Sequence, residues 1–416
     1  MADLPALVAG ANTPIGLALA RGLRPLGVPL VGAARTPFES GCRSALWKAV
    51  LPVGGPSDQA WLAALGAAHR RYGRMVLFPA FDGAVRVVAE HRAELAERFD
   101  FVLPALAVVE RLLDKTAFHR WAVEHGFPVP RTVVLDDPAG VPGALRELTF
   151  PVVLKPFERT LGWQELSRQT KVYRLATPDD WARLPFDPFR AVDRVVLQEW
   201  IPGRDSDVYF CLTYRDRDGT ELAARAGRKL LQWPVDIGTS ALAVTCADDE
   251  LHQLTRRLLA AAGHVGFGSV EVRRSAVDGR MLITEPTVGR PNMQTALTTA
   301  AGVNLPEVAY LDAVRRPPRV PRSARGRESI WVHETALPRS LVVTLGRDGP
   351  AVRRVLAEAL RVRRRPVGAF WAVRDPRPLV AEVVRTAGWV ARALGRRLPG
   401  RRVRGGPLAR RRARPR

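Results

Sequence analysis

Two carboxylates, Glu271 and Glu285, flank a turn sequence in Gly268-Ser-Val-Glu-Val272 and Leu282-Ile-Thr-Glu285. Val277-Asp278-Gly279 between them reads as a short loop, because glycine tolerates the positive φ that such a loop demands. If those three residues form the loop, Ala276 faces Arg280 and Glu271 lies directly opposite Glu285. A two-residue loop would put the carboxylates on opposite faces of the sheet. Like charges side by side destabilise a hairpin unless something positive sits between them. Mg²⁺ suits that position, since it takes one or two carboxylates and completes its octahedron with phosphate oxygens and water. On the hairpin alone, a reading in which one Glu simply faces solvent stays open.

The 416-residue length suits two or three domains. The net charge of +23 is unevenly spread: residues 315–416 hold 28 Arg, no Lys and 6 acidic residues, so the first 314 are nearly neutral. A neutral body argues against nucleic-acid binding as the main activity. Only five of the 64 basic residues are lysines (Lys48, Lys115, Lys155, Lys171, Lys229). Where lysine persists in so Arg-rich a chain, a compact point charge is favoured. No run of 18 apolar residues suggests a membrane span. The N-terminus lacks the basic stretch of a signal peptide, and the three scattered cysteines fit a reducing cytoplasm.

Along the chain, residues 4–11 read as a buried strand turning through Gly10–Gly16 into a helix, with a second strand at Val28–Val31. This is a doubly wound α/β unit. Its glycines fall short of GxGxxG, and no acidic residue ends the second strand, so a plain structural turn is favoured over dinucleotide binding. Helices are expected at Ala84–Ala96 and Glu110–His125, the latter stopping at Gly126. Strands are expected at Pro151–Lys155, Val195–Gln198, Val208–Thr213 and Glu221–Ala226, and a helix at Asp249–Ala262. The order is α/β, then α+β, then a basic tail.

Five segments in this order resemble the ATP-grasp superfamily of carboxylate–amine ligases. They are Asp114-Lys115 opening a helix, Phe150-Pro-Val-Val-Leu-Lys155-Pro156, Leu197-Gln-Glu-Trp-Ile-Pro-Gly203, Gly266-Phe-Gly-Ser-Val-Glu271 and Thr284-Glu285-Pro-Thr-Val-Gly-Arg290. The resemblance covers about residues 4–312. It implies a Rossmann-like pre-ATP-grasp domain (1–103), an ATP-grasp domain (104–314) with a lid at about 131–196, and an Arg-rich, partly helical extension (315–416). Lys115 and Lys155 then resemble the phosphate-binding lysines of the family. Gln198, Glu199 and Ile201 match the hinge that meets the adenine edge, and Asp205 or Asp207 stands where the ribose hydroxyls are accepted. Glu271 and Glu285 match the Mg²⁺ ligands (Mn²⁺ being an alternative), while Lys229 and Arg290 would face the transferring phosphoryl group. Arg228 shares the basic position with Lys229.

Two departures stand out. Thr287 occupies the family's Asn position, with Asn292 as a substitute ligand, and the loop Phe157–Trp163 has a single glycine. Arg159 and Lys171 would then replace backbone N–H groups around the phosphates. The implied reaction is ATP-dependent ligation of a small-molecule carboxylate to an amine through an acyl phosphate. Its substrate cleft is expected between Gly10–Gly16, Phe81-Asp82-Gly83 and Glu285–Gln294. A non-catalytic nucleotide-binding protein is the first alternative. The second is a peripheral protein at the inner membrane face, since Pro378–Leu398 is apolar with Arg and Trp and could lie on anionic lipid. The competing reading of that segment is a helix packed on the body, followed by solvated arginines. Nucleic acid is not an expected partner, and a homodimer stays open.

Overall fold

The computed structural model describes residues 3–157, 160–167, 172–318, 328–362 and 366–395. The N-terminal part is a five-stranded parallel sheet in the spatial order Trp47–Pro52, Leu30–Ala34, Ala6–Ala9, Met75–Pro79, Phe99–Asp100. Its central strands are apolar at every position because both faces are covered. Leu7, Val31 and Leu77 pack with Trp61 and Val85 on one side, and Val8, Leu30 and Phe78 with Leu17 and Val308 on the other. The glycine turn after the first strand is explained by packing. Thr13 Oγ1 accepts from Gly16 N at 3.0 Å to start the helix Pro14–Leu23, and a Cβ on Gly16 would lie 2.5 Å from the Gly10 carbonyl oxygen.

Two of the three long helices expected from the sequence are divided, while the third runs unbroken over Asp249–Ala261. The first splits at His91 into Asp82–Glu90 and Arg92–Ala96. The second splits at Asp114 into Leu106–Leu113 and Lys115–Glu124. Asp114 has extended backbone, and its carboxylate accepts from Thr116 N at 2.9 Å and Ala117 N at 2.7 Å. Asp114 is therefore the N-cap of a new helix with Lys115 at its first position, which agrees with the Asp114-Lys115 helix opening in the sequence and moves the start from Glu110.

Thr132–Leu135, Val195–Glu199, Val152–Pro156 and Tyr173–Leu175 form a separate four-stranded antiparallel lid in that order. Its own core includes Leu135, Val152, Leu154, Trp163 and Leu197. The central sheet has seven strands, ordered Met281–Val288, Gly266–Arg274, Val208–Arg215, Glu221–Trp233, Thr239–Thr245, Ile330–Val332, Val367–Gly368.

The last two of those strands correct the reading of residues 315–416 as an appended extension. Ile330–Val332 pairs with Val244–Leu242, and Trp331 is fully buried among Leu17, Ala243 and Phe370. Three acidic residues of this region hold it to the body: Asp375 accepts from Ser44 Oγ (2.6 Å), Glu382 from Ser40 Oγ (2.7 Å), and Glu358 pairs with Arg228, while Glu334 braces the region internally by accepting from Phe370 N and Trp371 N (3.1 and 2.6 Å). The helix Arg377–Gly395 lies against the Ser40–Arg43 turn, as the packed-helix reading expects. The arginine run after residue 395 and the single-glycine loop's Arg159 and Lys171 lie outside the described residues. No described helix is long and apolar enough to cross a membrane.

Because Trp331 fills the core that the N-terminal and central sheets share, Trp331→Ala should cost ~3–5 kcal/mol of global stability. Urea unfolding measures this; a dispensable appendage would leave the body's transition unmoved.

Candidate active site

A cleft of about 600 Å³ lies between the lid and the central sheet, and Ile15 of the N-terminal part reaches it. That volume suits a nucleotide-sized ligand. Lys115, Lys155, Gln198, Ile201, Lys229, Glu271, Glu285 and Arg290 all border it, so residues from segments far apart in sequence converge on one cavity.

Glu271 and Glu285 are directly paired across the ladder. The route to that pairing differs from the one expected. Ser275 N donates to Arg280 O, so the loop has four residues, 276–279, rather than three. A four-residue loop continued regularly would set Glu271 opposite Thr284 and turn Glu285 to the other face. The pairing instead shifts between Glu271 and Val272, and the extra residue Thr284 bulges out. Its hydroxyl folds back onto Glu271, 3.1 Å from the carbonyl oxygen and 3.3 Å from Oε1. The bulge brings the second carboxylate back to the cleft.

Lys229 reaches the pair from Glu221–Trp233, two strands from Glu271, with Nζ 2.9 Å from Glu271 Oε2 and only 4 % of its side chain exposed. Its remaining hydrogen bonds go to Gln232 Oε1 (3.1 Å) and Gly238 O (3.4 Å). Glu285 opens to solvent in the cleft yet is walled by protein around its carboxylate. That partial desolvation, with Glu271 beside it, pushes its pKa upward against the pull of Lys229, Lys115 and Arg290. The two facing carboxylates form an oxygen donor pair that fits a hard divalent ion, with Lys229 holding Glu271 in place beside it. Gly289, at φ +67°, turns the chain after this strand and delivers Arg290 to the rim. Arg290 Nε donates to Asp82 Oδ1 at 2.5 Å, which brings Phe81-Asp82-Gly83 against the Glu285–Gln294 segment, although of the N-terminal segments expected at the cleft it is Ile15 that lines it.

On the lid, strand alternation decides which side chains face the cavity. Val153, Lys155, Val196 and Gln198 share the cleft side, whereas Val152, Leu154 and Leu197 form the lid core. Lys155 Nζ donates to Gln198 Oε1 at 2.9 Å, and Gln198 Nε2 donates to Thr132 Oγ1 at 2.8 Å. Desolvation first, then the nearby Lys115, lowers the Lys155 pKa to about 8, with Glu285 pulling the other way. A lysine so poised lacks an anion.

Four expectations are corrected. Glu199 borders the cleft, but its carboxylate leaves it to accept from Thr149 N at 2.8 Å, consistent with its place on the lid-core side of the strand. Asp207 does not line the cavity, because its carboxylate accepts from Arg204 N at 2.7 Å in a short turn. Its alternative, Asp205, is buried and accepts from Gln232 N, Gln232 Nε2 and Asp236 N at 2.7–2.8 Å. Arg228 lies one residue from Lys229 and so points to the opposite face, to Glu358. Asn292 Oδ1 is occupied by Met293 N at 2.6 Å, while its Nδ2 donates to Ser269 Oγ. Thr287 is buried on the same strand side as Glu285, paired with Ser269.

Sequence reasoning missed Arg273, Gln232 and Gln294. Arg273 was accessible to it, since it stands two residues beyond Glu271 and therefore on the same face. It stacks over Trp200 at 4.7 Å and donates to Asp236 O at 3.1 Å. Gln294 Nε2 donates to Ser240 Oγ at 2.5 Å, a contact between distant segments that no local pattern signals.

No family model matches the chain. A D-aspartate ligase of Enterococcus faecium (strain Aus0004) is 25% identical over 256 residues, covering 59% of this chain and 60% of that protein. The chain thus spans about 60% of that relative's length. Among solved structures, the biotin carboxylase domain of the Hydrogenobacter thermophilus 2-oxoglutarate carboxylase aligns with a TM-score of 0.61 at 13% identity, over 79% of this chain and 74% of its own. N5-carboxyaminoimidazole synthetase from Staphylococcus aureus aligns at 0.58 and 11% identity, over 76% and 78%. Phosphoribosylglycinamide synthetase from Anaerococcus prevotii aligns at 0.56 and 14%, over 79% and 80%. These likenesses establish a common fold.

Asp205 clamps the Gln232–Asp236 segment that borders the cleft. Asp205→Ala should therefore release it locally, costing ~3 kcal/mol. Hydrogen exchange at the Gln232 and Asp236 amides should accelerate by about a hundredfold, while amides of the N-terminal sheet are unchanged.

Proposed function

We propose that this protein, a member of the ATP-grasp superfamily by fold, is an ATP-dependent ligase that joins a small-molecule carboxylate to an amine. The observation that carries the reading is the cleft-facing pair Glu271 and Glu285 opposite the desolvated Lys155, an arrangement with one site for a cation and another for phosphate. The likeness to the three synthetase and carboxylase structures and to the D-aspartate ligase supports it.

In this reading Lys115 and Lys155 bind the nucleotide phosphates, and Gln198 with the backbone from Glu199 to Ile201 meets the base. Glu271 and Glu285 hold Mg²⁺, which when bound neutralises charge on the terminal phosphates; Mn²⁺ is an alternative ion. A substrate carboxylate oxygen attacks the γ-phosphorus, the bond to the bridging oxygen of ADP breaks, and an acyl phosphate forms. The amine then attacks the acyl carbon, phosphate leaves, and the new amide nitrogen gives up a proton. The protein supplies no covalent nucleophile, so positioning and charge are its contribution. Lys229 and Arg290 stabilise the negative charge that accumulates on the transferring group, Arg290 after exchanging Asp82 for phosphate oxygens.

A non-catalytic nucleotide-binding protein is the second reading, favoured by Thr287 in place of an amide ligand and by the diverted Asp207. ADP release from Mg·ATP separates the two. Wild-type protein with pooled carboxylates and amines, D-aspartate among the first, should release ADP in a carboxylate-dependent way. Glu285→Gln should lower that rate at least about a thousandfold. Nucleotide binding without turnover in any pool would favour the second reading.

The pH dependence has a defined sign. Mg·ATP affinity should rise with pH while Glu285, whose pKa is raised, gives up its proton. It should fall again above about 8, where Lys155 loses its charge. Calorimetric titration across pH should show both limbs, and Lys155→Arg should remove only the alkaline one, since arginine stays charged.

A further inference from the structure

Arg273 has no part in the phosphate and metal chemistry described above, yet it borders the same cleft and is 5 % exposed. Nη1 donates to Ile201 O at 3.5 Å and Nη2 to Asp236 O at 3.1 Å, while the buried Nε has no partner. No carboxylate among the described residues forms an ion pair with it. Two carbonyl oxygens compensate a buried guanidinium poorly. An unpaired buried charge beside a cavity marks a place where a ligand completes the balance.

A planar guanidinium offers an edge and two faces. The two carbonyls engage the edge, and the Trp200 indole, its centroid 4.7 Å from the guanidinium carbon, takes one face. Arg174 of the lid approaches the same indole at 5.2 Å, so the ring is held from both sheets. The second face of Arg273 is left for the cleft. The slot beside it is apolar: Val208 pairs with Arg273 across the ladder, and Val153 lines the cleft from the lid. A flat, uncharged, electron-rich ring fits there, lying on the cation. An anion does not, because Asp205, Asp236, Asp207 and Glu271 all act on Arg273 from longer range. A phosphate in the slot would meet four negative charges for one positive. We propose that Arg273, laid on Trp200, is the platform on which the base of the bound nucleotide stacks. This assignment rests on the nucleotide-binding reading above and adds a base-recognising residue to it.

The test is Arg273→Met, which replaces a buried charge by an apolar side chain of similar length. In calorimetric titration the variant should bind Mg·ATP about tenfold more weakly than wild type. Both proteins should bind inorganic Mg·tripolyphosphate equally. The thermal midpoint reports folding, and if the variant is unstable the wild-type protein decides. Its Arg273 Nε–H NMR signal should move upfield on adding Mg·ADP, through the ring current of a stacked base, and stay in place with Mg·tripolyphosphate. Unchanged Mg·ATP affinity in Arg273→Met, or an Nε signal that ignores Mg·ADP, would overturn the platform and leave the ligase reading standing. A parallel loss of Mg·ATP and Mg·tripolyphosphate in a folded variant would also overturn it, making Arg273 a phosphate ligand or a strut between Ile201 and Asp236. Failure of the wild-type protein to bind either compound would overturn the platform and the nucleotide reading together.

Discussion

Glu271 and Glu285 repel each other at close range, and much of the surrounding architecture serves to keep them together. The repulsion is offset by Lys229, whose buried ammonium reaches Glu271 from two strands away, across Val208–Arg215. That lysine is in turn held by Gln232, whose backbone and side chain are clamped by the buried Asp205. Three strands of one sheet and the turn at Asp205 thus act as a single electrostatic unit. The lid opposite contributes a lysine lowered in pKa by desolvation and by a second lysine. Each half holds charge that a bound anion and cation would relieve, which ties the cleft's chemistry to the packing beneath it.

Much of this was legible in the sequence because it is local. Strand alternation puts Lys155 and Gln198 on one side of the lid, and a lysine kept in an arginine-rich chain marks a position with special demands. The carboxylate pair was also legible, though for the wrong reason. The three-residue loop inferred from Asp-Gly gives the same parity as the actual four-residue loop with a bulged Thr284. Two errors of one residue cancelled, and period-two reasoning could not see either.

The failures share a cause. Asp207, Glu199 and Asn292 are all polar groups near the site whose side chains were claimed by backbone N–H donors a few residues or a few strands away. Short acidic and amide side chains compete readily for such donors, and nothing in a one-dimensional pattern says which partner wins. Asp114 is the favourable version of the same effect, since its capping role creates the helix start that presents Lys115. The C-terminal region was misjudged on composition. Its arginines drew attention, whereas three of its six acidic residues fasten it to distant parts of the body and two more brace its own turns.

The strand Ile330–Val332 lies beside Thr239–Thr245, although some 85 residues separate them in the chain. Until that late segment has been synthesised, one edge of the central sheet carries unpaired amides and carbonyls, and the pocket that Trp331 fills stays open to water. A ribosome-bound chain ending before residue 330 would hold both carboxylates of the cleft yet lack part of the core beneath them. Assembly of the site therefore waits on the last quarter of the chain, and the long loop closure this requires predisposes the protein to slow folding with an exposed, pairing-competent edge along the way.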